Sequence, residues 1–150
     1  MRCRPVIAVS CLLALACART PPAPAALDTR NEECAFCRMR VSDARFAAQI
    51  VAPGEEPRFF DDLGCLAAYL KKTPRLATAS VAYVADHRDK SWVAAWRATY
   101  SRVPELWTPM ASHLIAHRDP ASRDLDAAGN NGTNVSPVEL FGGAAAPERR

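Results

Sequence analysis

The sequence predicts an α+β fold of small mixed sheets, built as two related ββαβ-type halves. Three observations predict it. Short apolar runs alternate with period two, as half-buried strands do. Between two such runs the apolar spacing switches to that of a helix. A similar order of runs can then be followed a second time downstream. Composition agrees, because 49% hydrophobic and 23% charged residues is a globular balance that excludes general disorder.

The first residues read as an address. Arg2 and Arg4 precede an apolar run over 5–16. That run is too short to span a ~30 Å hydrocarbon core and suits a signal segment, here 1–16. Ala16-Cys17 has the form of a lipoprotein signal, with Cys17 lipidated as the mature N-terminus. Ala14-x-Ala16 also reads as an ordinary cleavage site, which leaves a soluble exported protein. The favoured expectation is an exported, periplasmic, membrane-anchored lipoprotein on the outer membrane. Residues 17–29 are Pro/Ala-rich and predict a solvated tether. Residues 142–150 predict a loose tail.

The folding unit is 30–141, divided into halves 30–86 and 87–141. Residues 45–52 alternate and predict a strand, with Phe46, Ala48 and Ile50 on one face. Pro53 to Pro57 is a turn cluster, and Arg58-Phe59-Phe60 completes a hairpin. Asp61 or Asp62 can cap a helix over 62–72, whose Leu63, Leu66, Ala67 and Leu70 form one stripe. Residues 79–85 predict a third strand. In the second half, 92–95 and 98–103 predict a hairpin, with a helix as competitor. A strand over 114–117 follows, then a helix from Asp119-Pro120 to about residue 127. Last come a loop over 129–132 and an edge strand over 134–140.

The formal net charge of +3 is small, and two basic residues sit in the signal. Elsewhere the signs are interspersed, so the sequence predicts no nucleic-acid partner. It also shows no Ser/His/Asp set or paired carboxylates placed for catalysis, and a non-enzyme is expected.

Beyond the signal and Cys17, the cysteines are Cys34, Cys37 and Cys65. An odd number in an exported chain leaves an unpaired thiol or a metal site. If Cys37-Arg38-Met39 is extended, Cys37 and Met39 project to one side. A thiolate beside a thioether favours Cu(I) over harder ions. Met110 follows Pro109 in a loop and can add a third sulfur; His113 or His87 can supply a nitrogen. Other readings stay open. Cys34-x-x-Cys37 also suits a disulfide, a thiol–disulfide oxidoreductase or half a zinc site. Met39 and Met110 also suit core packing. Cys65 reads first as a buried small hydrophobe, with a role near a metal as the lesser alternative; Asp61-Asp62 read as a helix cap, and Trp92, Trp96, Tyr100 and Trp107 as core. His113 and His117 read as surface or lightly packed.

Taken together, Cys34-x-x-Cys37-x-Met39, Asp43-x-Arg45-Phe46-x-Ala48-Gln49, Phe60-Asp61-Asp62-x-Gly64-Cys65-Leu66-x-x-Tyr69 and Thr108-Pro109-Met110-x-Ser112 resemble the NosL family. The resemblance covers about residues 32–117. It implies a copper-binding lipoprotein, a Cu(I) metallochaperone that serves apo nitrous oxide reductase with an ABC-type membrane assembly complex. It implies halves similar to part of organomercurial lyase. It implies Cys37 and Met39 as first ligands and Met110 as a third; Cys34 and His113 stay further candidates on the residues' own chemistry. Arg38 stands where the family pattern usually has Gly, and Met110-Ala111-Ser112-His113 stands for Met-Gly-Ser-Gly.

Overall fold

The computed structural model describes residues 20–73 and 75–142. The signal over 1–16, Cys17 and residues 143–150 of the tail lie outside the described residues.

The first half is β1 (Ala48–Val51), β2 (Arg58–Phe60), α1 (Leu63–Lys72) and β3 (Val81–Ala85). The β1–β2 turn is made possible by Gly54, whose φ of +76° suits a residue without Cβ. Asp62 caps α1 in extended conformation, its carboxylate accepting from the Gly64 N–H at 2.6 Å. Lys71 and Lys72 complement the dipole at the other end. The helix buries Leu63, Leu66, Ala67 and Leu70, the stripe the spacing predicted.

The chain then adds β4 (Trp92–Ala94) to β3, giving sheet order β2-β1-β3-β4. The second sheet holds β5 (Thr99–Arg102), β6 (Leu114–His117) and β7 (Thr133–Val135) in order β6-β5-β7. The two halves therefore share one topology. In each, the first strand is central, the second and third flank it, and helix follows the second.

Several expectations change in detail. The ladders are antiparallel rather than mixed. A parallel bridge joins Cys34 to Phe59 outside them. β4 and β5 do not form a hairpin; a turn closed by Arg97 N–H on the Ala94 carbonyl hands the chain from one sheet to the other. The helix expected over 119–127 divides into α2 (Pro120–Asp124) and α3 (Ala127–Asn130), because Asp126 caps a new start by accepting from the Ala128 N–H. The last strand stops at Val135. Ser136-Pro137 opens α4 (Pro137–Phe141), the serine accepting from the Glu139 N–H at 3.2 Å.

One hydrophobic cluster draws on both halves, including Ile50, Phe60, Leu66 and Val84 with Tyr100, Leu114 and Phe141. Phe141 meets Tyr100 and Trp96 edge-on at centroid distances of 5.6 and 5.7 Å. Trp92 and Trp96 are only half-buried, and Trp107, expected in the core, is 76% exposed.

The tether expectation is corrected over its described part. Buried Gln49 bonds Ala25 reciprocally: its Oε1 accepts from Ala25 N–H at 2.8 Å and its amide donates to the Ala25 carbonyl at 3.1 Å. Tyr83 donates to the Pro22 carbonyl at 2.6 Å, and Ala25 and Leu27 pack on the core. A Pro/Ala-rich run carries few charges and can dock wherever a sheet offers it hydrogen bonds.

Polar staples join the two sheets. Asp86, fully buried at the end of β3, accepts from the Arg118 N–H at 2.9 Å, the Arg88 N–H at 2.9 Å and the Ser122 hydroxyl at 2.7 Å. Burial opposes its ionisation, but these donors prevail and hold its pKa below the ordinary value. Removing the carboxylate strands three donors, so Asp86→Ala is expected to cost about 3 kcal/mol in urea denaturation and Asp86→Asn less. Nearby Asp89 accepts from the Ser91 hydroxyl and N–H and from Arg118, which together lower its pKa to about 2. A carboxylate depressed by folding stabilises fully above its unfolded value, ~4, and loses that contribution as pH falls toward 2. Asp89→Asn should therefore flatten the acid limb of a stability–pH curve between about pH 4 and 2 while removing stability at neutral pH.

Candidate metal centre

Before β1 the chain makes a tight loop. Its arms are bridged at Glu33 and Arg40. Cys34 N–H donates to the Met39 carbonyl at 2.7 Å, and Arg38 N–H donates to the Cys34 carbonyl at 3.0 Å. Ala35 N–H pins the loop to Phe59 of β2 at 2.8 Å. Arg38 has a φ of +68°, so Cys37-Arg38-Met39 is not the extended ribbon that would place two side chains on one side.

The loop sets Cys34 inside and Cys37 half-buried at its turn. Asp61 precedes α1 and Cys65 lies in its first turn, both buried. Cys34, Cys37, Cys65 and Asp61 offer ligand atoms that all lie within 4.8 Å of one another. All three cysteines are free, and the Cys37 thiol donates to Asp61 Oδ1 at 3.4 Å.

The thiols differ in charge. A hydrogen bond from Cys65 lowers the Cys34 pKa to about 6, against its burial. The same bond and burial push Cys65 far up. Burial first, then the charge on Cys34, pushes Cys37 up to about 11. The electrostatics make Cys34, the most enclosed sulfur, the thiol that ionises most readily.

The second half reaches this place through Asp62. Besides capping α1, its carboxylate accepts from the Thr108 hydroxyl at 2.7 Å and the Met110 N–H at 3.0 Å. Close packing of that loop explains Gly64, where a Cβ would stand 2.9 Å from the Ser112 Cβ. Met110 thus hangs beside the Asp61–Asp62 step, as Met39 hangs beside Cys34. Both side chains face solvent, Met39 at 55% and Met110 at 42% exposure, so neither is core. His113 belongs to neither convergent metal-ligand group. Its Nδ1 donates to the Leu106 carbonyl at 2.9 Å, which leaves Nε2 with a free lone pair in the neutral ring. His87 is not at the sulfur cluster; its ring pairs with Asp126.

The sequence placed Cys34 and Cys37 together, held Cys65 near a metal only as its lesser reading, and missed Asp61 as a partner. The available signal was Cys65's position off the leucine stripe, one turn from a helix start that the Cys34 loop covers.

A sulfur-rich centre held where two ββαβ halves meet defines an α+β metal-binding protein. The sequence pattern of the NosL family matches residues 24–133, and the chain belongs to that family. Membership carries a copper-binding accessory role linked in general to nitrous oxide reductase maturation. No curated protein matches the chain, and no solved structure does. The departures from the family pattern fall at Arg38, Ala111 and His113, and all three have positive φ, at 68°, 52° and 59°. The backbone that glycine would adopt freely is thus kept by residues that bear a Cβ. Arg38→Gly is expected to stabilise the fold by about 1 kcal/mol in chemical denaturation, with the loop's hydrogen bonds unchanged.

Proposed function

We propose that the protein is a Cu(I) metallochaperone, not an enzyme, and that it passes copper toward apo nitrous oxide reductase with an ABC-type membrane complex. The observation that carries this reading is the convergence of three thiols and Asp61, with solvent-facing Met39 and Met110 on backbone tied to Cys34 and Asp62. Sulfur donors select Cu(I) over hard ions. A single thiolate matches the monovalent charge, and the methionines add neutral donors at any pH. Met39 and Met110 meet an incoming ion first, half-buried Cys37 follows, and Cys34 and Cys65 lie behind. Such a gradient suits stepwise exchange, in which a partner's ligands displace the outer donors before the inner ones. Cys37 with Met39 and Met110 is the proposed transfer set, with Cys34 as inner support and His113 Nε2 as an outer nitrogen.

In this reading the protein is exported and lipidated at Cys17. The chain from Cys17 to docked Pro22 reaches at most about 18 Å, which keeps the domain close to the bilayer of the outer membrane and to membrane partners. A thiol–disulfide oxidoreductase would need its low-pKa thiol accessible. Here the acidic thiol, Cys34, is fully buried, and the accessible one, Cys37, has its pKa pushed up to about 11, chiefly by burial.

Anaerobic titration of the reduced protein against a competing Cu(I) chelator tests the proposal. One tight equivalent is expected. Cys37→Ala should abolish it, and Met39→Ala or Met110→Ala should weaken it by about tenfold, ~1.4 kcal/mol. Absence of stoichiometric Cu(I) binding would overturn the reading, whereas catalysed disulfide exchange lost with Cys34 or Cys37 would establish the oxidoreductase.

A further inference from the structure

A second group of ligating side chains lies away from the sulfur. His87 follows β3, His117 ends β6, and Asp126 caps α3. Asp126 Oδ2 sits 2.6 Å from His87 Nδ1 and 3.0 Å from His117 Nε2. Their ligand atoms all lie within 4.8 Å of one another. We propose that His87, His117 and Asp126 form a separate site for a divalent transition ion of borderline hardness, Zn(II) or Cu(II).

The donor set is the first support. Two imidazoles and a carboxylate suit such ions and do not favour Cu(I), and three protein ligands leave one position open for water. Preorganisation is the second. His87 and His117 come from different sheets, yet the His87 N–H donates to the Ala116 carbonyl at 2.8 Å and fixes the two rings side by side. Gly129 makes room for one of them: a Cβ there would stand 2.5 Å from His117 Cε1 and 2.9 Å from Nε2. Metal bonds of 2.0–2.1 Å in tetrahedral geometry place neighbouring ligands about 3.3 Å apart, so the two contacts of Asp126 with the imidazoles need lengthen only by roughly 0.3 and 0.7 Å.

The polar accounting is the third. Both rings are buried, at 7% and 0% exposure, and their outer nitrogens, His87 Nε2 and His117 Nδ1, have no hydrogen-bond partner among the described residues. No outside partner locks either tautomer. Each inner nitrogen can give up its proton to the outer one as an ion arrives. Asp126 supplies the charge: burial opposes its ionisation, but bonds from His117 and His87 bring its pKa to about 2. Its side chain is 12% exposed and offers the entry from solvent.

The test is nitrogen-15 NMR of the reduced full chain titrated with Zn(II), supported by Co(II) absorption. The expected result is a metal-induced shift at His87 Nδ1 and His117 Nε2 with the proton moved to the outer nitrogens, and none at His113. Co(II) should show ligand-field bands that survive when thiolate charge-transfer bands are removed by alkylating the cysteines. Asp126→Asn, which keeps a cap at α3, should weaken the imidazole response at least about tenfold. His87→Gln serves the same comparison should the first variant not fold. Zinc that reaches only the cysteines, or leaves both imidazoles unshifted, overturns the proposal. Because the readout is at the imidazoles, it is independent of whether the sulfur centre binds Cu(I).

Discussion

The Asp62 carboxylate is the constraint on which the sulfur centre depends. It is fully buried and accepts from three donors, at the start of α1, at Thr108 and at Met110. A buried charge is tolerable only when its lone pairs are filled, so the loop over 108–113 has little freedom to leave. That single group sets where α1 begins, and hence where Cys65 and Asp61 stand. It also brings Met110, from the other half, to the same place. Asp61 then faces Cys37, and the loop from Cys34 to Met39 closes over the opposite side. Two adjacent acids thus divide the work: one holds the frame and the other lines the site.

The same device recurs between the sheets. Asp86 bonds the chain just after β6 and within α2, and Asp126 gathers two imidazoles, one following β3 and one ending β6. The halves share a core, and their polar joints are carboxylates with several donors each rather than exposed ion pairs. Exposed pairs such as Arg45 with Asp43 or Arg58 with Glu55 contribute little by comparison.

The first half was legible because its elements carry unambiguous periods and its helix a strong cap. The strand expected over 45–52 shortens to Ala48–Val51, with Phe46 in the preceding turn, while the hairpin to Phe60 and the helix ending at Lys72 lie where the turn cluster and the leucine stripe put them. The second half blurred where short-range signals compete with tertiary pairing. Nothing in residues 92–103 shows that β4 joins one sheet and β5 the other, because sheet membership is decided by partners far away in sequence. Asp126 and Ser136 are cap residues like Asp119, and they ended elements the apolar pattern would have continued. At the site, Cys34 with Cys37 was legible from spacing. Cys65 and Asp61 were not, since their proximity is created by the loop packing over the start of α1. The assumption of an extended Cys37–Met39 ribbon failed at Arg38, whose left-handed conformation no propensity would assign to arginine.

That failure bears on how the sulfur centre works. A ribbon would have set Cys37 and Met39 side by side as equal ligands. The turn instead arranges the sulfurs in depth, with charge concentrated at Cys34 and a proton held on Cys37. For an ion moving inward, binding at Cys37 must expel that proton, and for an ion moving outward the returning proton helps to displace it. For the proposed Cu(I) cargo, the deep thiol of lowered pKa would draw the cation in, while the raised pKa of the outer thiol would limit how firmly it is held at the exit. Affinity and release are then governed by different sulfurs, which a cage of four equivalent ligands cannot arrange.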